Sequence, residues 1–140
     1  MAVKAITKTA GYSGTPLVKK LGIKPGARIQ IVSEPSAFRS VLGPMPGGVK
    51  PSPRGELDFA MVFTRTIADL EKRFVVLRDR LATNGTLWVS WPKKSSGVPT
   101  ELTENVVREF GLEHGLVDVK VCAVDETWSG LKFVRRLKDR

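Results

Sequence analysis

The densest run of groups able to do chemistry lies between Gly85 and Thr100, which reads GTLWVSWPKKSSGVPT. An apolar segment, Thr86 to Trp91, stops at Pro92 and opens into a polar, cationic loop. That loop carries Lys93, Lys94, Ser95, Ser96 and Gly97, and a helical stretch starts at about Thr100 or Thr103. Lysines supply charge, serines supply hydroxyls, and the N-terminus of a helix offers unpaired N–H groups, a combination suited to an anion. Ligands of open α/β sheets bind at the carboxyl ends of strands, which is where this loop falls. A second polar cluster, Asp125-Glu126-Thr127-Trp128-Ser129, follows the apolar run Val117 to Val124. Paired carboxylates can do acid–base work or hold a cation. A salt bridge to Lys93, Lys94 or Arg135 is their plainer use and is the favoured expectation. If the strands before both loops end on one sheet edge, the acids and lysines share a pocket. The candidate ligand-binding residues are therefore Trp91, Lys93, Lys94, Ser95, Ser96, Gly97, Thr100, Asp125, Glu126 and Trp128.

No residue is assigned a catalytic role, and no metal ligand or cofactor is assigned. One histidine and one cysteine exclude an ordinary zinc site and a Ser-His-Asp triad. Adjacency of Ser95 or Ser96 to Lys93 or Lys94 does not aim an amine at a hydroxyl, so a Ser-Lys dyad is not adopted. Cys122, inside an apolar run, reads as a small core residue. His114 lies near a helix C-terminus, where a cation meets the helix dipole favourably. Tyr12-Ser13-Gly14-Thr15 with Lys19 and Lys20 lacks the glycine spacing and the preceding strand of a phosphate loop.

The elements that must position these groups are legible as patterns. Thr15 as N-cap and Pro16 at the first helical position start a short helix that closes on Gly22. Arg28 to Val32 is a strand, and Ala37 to Leu42 a short helix. Gly43 to Gly55 is a loop rich in proline and glycine. Leu57 to Phe63 is nearly all apolar, as a strand buried on both faces should be. Thr66 caps a long helix, with Asp69 in capping-box position and Ile67, Leu70, Phe74, Leu77 and Leu81 as its apolar stripe. Asn84-Gly85 ends that helix. Leu102, Val106, Val107 and Phe110 give the next helix its inward face. Strands at Val117–Val124 and Leu131–Leu137 are close enough to pair as a hairpin. Trp88 and Trp91, three apart on one strand, face opposite sides, so one of them is expected to cover a pocket or an interface. The expected fold is α/β in three layers, with a mainly parallel five-stranded sheet and a C-terminal antiparallel strand pair. Residues 1–11 read as an arm and 12–140 as a single domain.

The chain has 140 residues, enough for one domain with its own core. It has no apolar run approaching the roughly 18 residues of a membrane span, and its first residues do not read as a secretory signal. A single cysteine fits a reducing cytoplasm. The net charge of +9 is uneven. Residues 1–54 carry nine lysines and arginines against one acid, Glu34, whereas the remainder is nearly balanced. Such asymmetry suits an anionic partner, nucleic acid among them, although no aromatic interleaving supports nucleic acid.

Two resemblances follow. The element order, ending in two strands with no helix between them, resembles a truncated class I methyltransferase, a Rossmann-like fold. On that mapping Arg28 to Val32 looks like the cofactor-binding first strand, the next two strands of the full fold are missing, and the sheet order is 1-2-3-5-4. The departure from that family lies after the first strand: Ser33-Glu34-Pro35-Ser36-Ala37-Phe38 has no glycine to let the backbone approach a methyl donor or dinucleotide. The stretches YSGTPLVKKLGIKPG, LWVSWPKKSSGVPTELTE and GLVDVKVCAVDETWSGLKFV resemble an uncharacterised bacterial family of unknown function, from which no activity carries over. The expected function is that of a binding or interaction module for an anionic small molecule or a protein partner. The reading leans away from an enzyme, keeps an enzyme on a methyltransferase-like scaffold and a basic nucleic-acid contact as alternatives, and expects a homodimer through an open strand edge.

Overall fold

In the computed structural model, which describes residues 15–140, the two periodicities of the sequence become two kinds of element around one sheet. The order is α1 (Leu17–Leu21), β1 (Arg28–Val32), α2 (Phe38–Leu42), β2 (Lys50–Pro51), β3 (Leu57–Phe63), α3 (Ile67–Arg80) and β4 (Leu81–Pro92). After a 3₁₀ turn at Lys94–Ser96 come α4 (Glu104–Glu113), β5 (Leu116–Ala123) and β6 (Trp128–Arg135). The arm expected over residues 1–11 lies outside the described residues. No helix among the described residues is long and apolar enough to cross a membrane.

The sheet runs β2-β1-β3-β4-β6-β5. Strands β1 to β4 pair in parallel, and β6 runs antiparallel to both β4 and β5. The predicted order 1-2-3-5-4 is present as β1-β3-β4-β6-β5. The expectation of five strands is corrected to six. The extra strand is two residues long and lies inside the Pro/Gly-rich loop, where Lys50 and Pro51 register with Arg28 and Ile29. It escapes a periodicity reading because two residues have no period.

One core cluster packs the sheet against α3 and α4, through Leu70, Phe74, Leu77, Val107 and Phe110. The other packs the opposite face against α1 and α2, through Leu17, Leu21, Phe38 and Leu42. Trp91 belongs to the first cluster and Trp88 to the second. The two tryptophans do face opposite sides, but both sides are interior, so neither is released to cover a pocket.

Thr66 caps α3 as expected, its hydroxyl accepting from the Asp69 N–H at 3.1 Å. The helix ends at Arg80, four residues before Asn84-Gly85. Leu81 is already extended, at φ −66° and ψ 131°, and pairs with Leu57. Gly85 sits where the β3–β4 register shifts, and a Cβ there would stand 2.6 Å from the Leu57 carbonyl oxygen. The glycine is required by close approach of two strands rather than by a helix end. At α1 the N-cap is Pro16 instead of Thr15, and no side chain caps it.

Candidate functional site

The parallel strands β1, β3 and β4 all end on one edge of the sheet, and the peptide following each continues into the loops there. At that edge a cleft of about 380 Å³ is lined by Ser33, Pro35, Phe63, Thr64, Arg65, Thr66, Asp69 and Trp128. Its aromatic wall is Phe63 against Trp128, edge to face with ring centroids 5.1 Å apart. Phe38 meets Phe63 from behind at 4.9 Å. Edge-to-face packing fixes ring positions more tightly than burial alone.

The polar side of the cleft comes from the β3–α3 turn. Thr64 is buried, its N–H donating to the Ser90 carbonyl at 3.0 Å. Burial opposes ionisation of Asp69, but hydrogen bonds from Thr64 and Arg73 and the charges of Arg73 and Lys72 outweigh it and hold the carboxyl below its ordinary range. Two N-terminal N–H groups of α3 are already engaged: Ile67 donates to Glu101 Oε1 at 2.8 Å and Asp69 to the Thr66 hydroxyl at 3.1 Å. Arg65 is the cationic residue among those lining the cleft. Arg65 is exposed and forms no ion pair among the described residues. Its backbone carbonyl is fixed by the Thr100 hydroxyl at 2.9 Å and the Glu101 N–H at 2.8 Å. In the segment from the end of β1 to α2, Arg39 grips Glu34 with two hydrogen bonds, of 2.6 and 3.0 Å. The acid nearest the end of β1 is thereby neutralised.

The residues predicted from sequence fall around this edge with different roles. The Lys93 N–H donates to the Thr127 carbonyl at 2.7 Å, so the lysine loop and the acidic loop are adjacent in space as well as on one edge. Asp125 is committed to its own turn: Oδ1 accepts from the N–H groups of Thr127 and Trp128, each at 2.8 Å. No ion pair among the described residues joins Asp125 or Glu126 to Lys93, Lys94 or Arg135. Arg135 instead donates to the carbonyls of Arg78 and Leu81. The salt bridge expected for the acids is therefore replaced by a turn. The Ser96 hydroxyl closes the 3₁₀ turn by donating to the Lys93 carbonyl at 2.7 Å while accepting from the Val98 N–H at 3.2 Å. Gly97 follows in the left-handed region at φ 77°. Lys94, Ser95, Gly97 and Glu126 are exposed. Trp91 is buried in the core and pairs with Ser129. Trp128 is the predicted residue that lines the cleft.

Sequence reasoning missed Ser33, Phe63, Thr64 and Arg65. The signal was present, since each lies at the carboxyl end of a predicted strand, the place that the open-sheet rule singles out. Ser33 also carries a backbone signal that the sequence hides: it is the one non-glycine among the described residues with positive φ, at 60°.

No protein-family model matches the chain, and no curated protein matches it. Solved structures do. A SAM-dependent methyltransferase from Aquifex aeolicus superposes with a TM-score of 0.56 at 14% identity, over 84% of this chain and 86% of that one. Magnesium protoporphyrin IX methyltransferase from Synechocystis PCC 6803, with bound SAH, gives a TM-score of 0.55 at 11% identity, over 86% of this chain and 78% of that one. A ribosomal protein L11 methylase from Lactobacillus delbrueckii subsp. bulgaricus gives 0.53 at 10% identity, over 86% and 75%. At such identities the likeness is one of fold: an α/β, Rossmann-like, methyltransferase-like architecture.

Proposed function

We propose that the protein is a binding module, without catalysis of its own, that holds a small anionic ligand at the carboxyl edge of its sheet. The observation that carries this reading is Arg65, exposed and free of any ion pair among the described residues, in the lining of a cleft walled by Phe63 and Trp128. Lys93 and Lys94 lie on the same edge and add cationic charge. In a thermal-shift panel of small carboxylates, phosphates and nucleotides, at least one class should raise the melting temperature of the wild type and fail to raise that of Arg65→Gln. A panel with no response, or an equal response in the variant, counts against the reading.

A second reading, an enzyme on a methyltransferase scaffold, is favoured by the fold likeness. The residues at this edge fit a methyl-donor site poorly. The turn after β1 is Ser33-Glu34-Pro35-Ser36, with a side chain where close approach needs none, and β2 runs into Ser52-Pro53 without an acid for ribose hydroxyls. Ser33 does adopt the left-handed conformation that a glycine would take there. Titration with S-adenosylmethionine separates the readings, since saturable binding supports the enzyme. The same proposal places the chain in the uncharacterised bacterial family that its three signature stretches resemble, in a reducing cytoplasm. It also keeps the homodimer, which would pair along β5, the longer open edge, where Val119 and Val121 are about half exposed. Sedimentation giving the 15.4 kDa monomer at all concentrations would remove the dimer.

A further inference from the structure

A different cleft, of about 520 Å³, opens at the opposite end of the sheet, where the parallel strands begin. Lys24, Asp58, Asn84, Thr86 and Lys132 are among its lining residues. Asp58 is already engaged: its carboxylate accepts from Arg28 Nε and Nη2, each at 2.9 Å, and from the Arg28 backbone N–H at 2.8 Å.

Lysines from three distant parts of the chain come together: Lys24 and Lys132 line the cleft, and Lys120 flanks Lys132 without being among the lining residues. Lys24 comes from the loop after α1, Lys120 from β5 and Lys132 from β6. Lys120 and Lys132 are direct cross-strand partners in the β5–β6 ladder. Both reach towards α1. The Lys120 ammonium donates to the Lys20 carbonyl at 3.1 Å, and a Cβ added to Gly22 would stand 3.6 Å from Lys132 Nζ. Like charges directly opposite on paired strands repel. Burial pushes the Lys132 ammonium below its ordinary range, and the charges of Lys120 and Lys24 push it the same way. None of the three forms an ion pair among the described residues. A fold using these lysines for stability would set a carboxylate among them. This one sets an amide and a hydroxyl there, with the nearby acid committed to Arg28.

We propose that Lys24, Lys120 and Lys132, with Asn84 and Thr86, form a second anion site for a small ligand bearing more than one phosphate group. Three separate cations and a cleft much larger than one phosphate call for an extended polyanion. Lysine serves such ligands as a point charge that needs no fixed planar geometry. The concave wall between the α1 loop and the sheet suits a small molecule better than a duplex. This site does not depend on the carboxyl-edge reading, since it lies at the other end of the strands.

Calorimetric titration of the full chain with sodium tripolyphosphate at low salt tests it. With the carboxyl-edge cleft silenced by Arg65→Gln/Lys93→Gln/Lys94→Gln, the account expects one-site binding that weakens as salt rises. In that background, adding Lys24→Gln/Lys132→Gln should lower affinity about tenfold or more, whereas adding Lys138→Gln, at an exposed position in neither cleft, should leave it unchanged. Without phosphate, Lys132→Gln should melt no lower than wild type, because it removes a repulsion; a clearly lower melting temperature would make Lys132 a structural cation and overturn the assignment. Absence of binding at low salt, or binding that survives Lys24→Gln/Lys132→Gln, would also overturn it. Tighter binding of a short single-stranded oligonucleotide, lost in the same variant, would move the phosphates to a nucleic-acid backbone and overturn the small-ligand assignment.

Discussion

Ser33 holds its backbone at φ 60°, in the left-handed region where a Cβ crowds the following carbonyl. Ser33→Gly should therefore raise stability by about 1 kcal/mol in urea unfolding; a loss would show that the serine side chain holds the turn. Asp58 makes the opposite case. Its hydrogen bonds with the Arg28 side chain, working against partial burial and helped by the Arg28 N–H and charge, hold its carboxyl below the ordinary value of 3.8. A depressed acid stabilises the fold above its unfolded pKa, and that contribution is lost as pH falls through about 4 and below. Asp58→Asn should cost about 0.5–1 kcal/mol at neutral pH, after allowance for solvent screening. The gap between the two proteins should narrow as melting is followed from pH 6 to pH 3; a constant gap would contradict this. At this scale the sequence was partly legible. The capping threonine, the buried cysteine and the position of Trp128 at the edge could be read from neighbours. Arg65 could not, because periodicity identifies what is buried and says little about which exposed cation meets a cleft.

Helix α4 lies so close to β6 that Gly111 has no room for a methyl group: a Cβ there would stand 2.0 Å from Phe133 Cε1. Alanine is the better helix former by about 1 kcal/mol. Overpacking a core costs about 1–3 kcal/mol and more when a ring must move, and Phe133 is held between Phe74, at 5.6 Å, and the sheet. Gly111→Ala should therefore be destabilising in a thermal melt, and a more stable variant would show that α4 slides freely on the sheet. Trp88 ties the other face. Its indole N–H donates to the Leu21 carbonyl at 2.8 Å from a fully buried position. Trp88→Phe leaves a cavity and an unsatisfied carbonyl, and should lower stability by about 2–4 kcal/mol. The elements themselves were largely legible because alternation and 3.6-residue spacing are strong over seven or more residues. What was not legible came from tertiary contact: β2, which exists only through pairing with β1, and the early end of α3, which Leu81 leaves to pair with Leu57.

Across the whole molecule, cations from both the basic first third and the nearly balanced remainder meet at opposite ends of one sheet. The strand order could be reached from the alternation of elements, because a crossover between parallel strands has one favoured hand. The amino-end cluster could not, since Lys24, Lys120 and Lys132 are more than a hundred positions apart at the extremes and meet only when β6 inserts between β4 and β5. The carboxyl-edge cleft was half legible: the sequence located the edge through Pro92 and the two loops, but not the β3–α3 turn that supplies Arg65. The central claim is that this cleft holds a small anion. Native mass spectrometry of the protein purified from its own host, in a Lys24→Gln/Lys132→Gln background so that the second site contributes nothing, tests it most directly. The account predicts a retained small-molecule mass that disappears when Arg65→Gln, Lys93→Gln and Lys94→Gln are added. A bare protein, or a bound mass that survives those three changes, would contradict it.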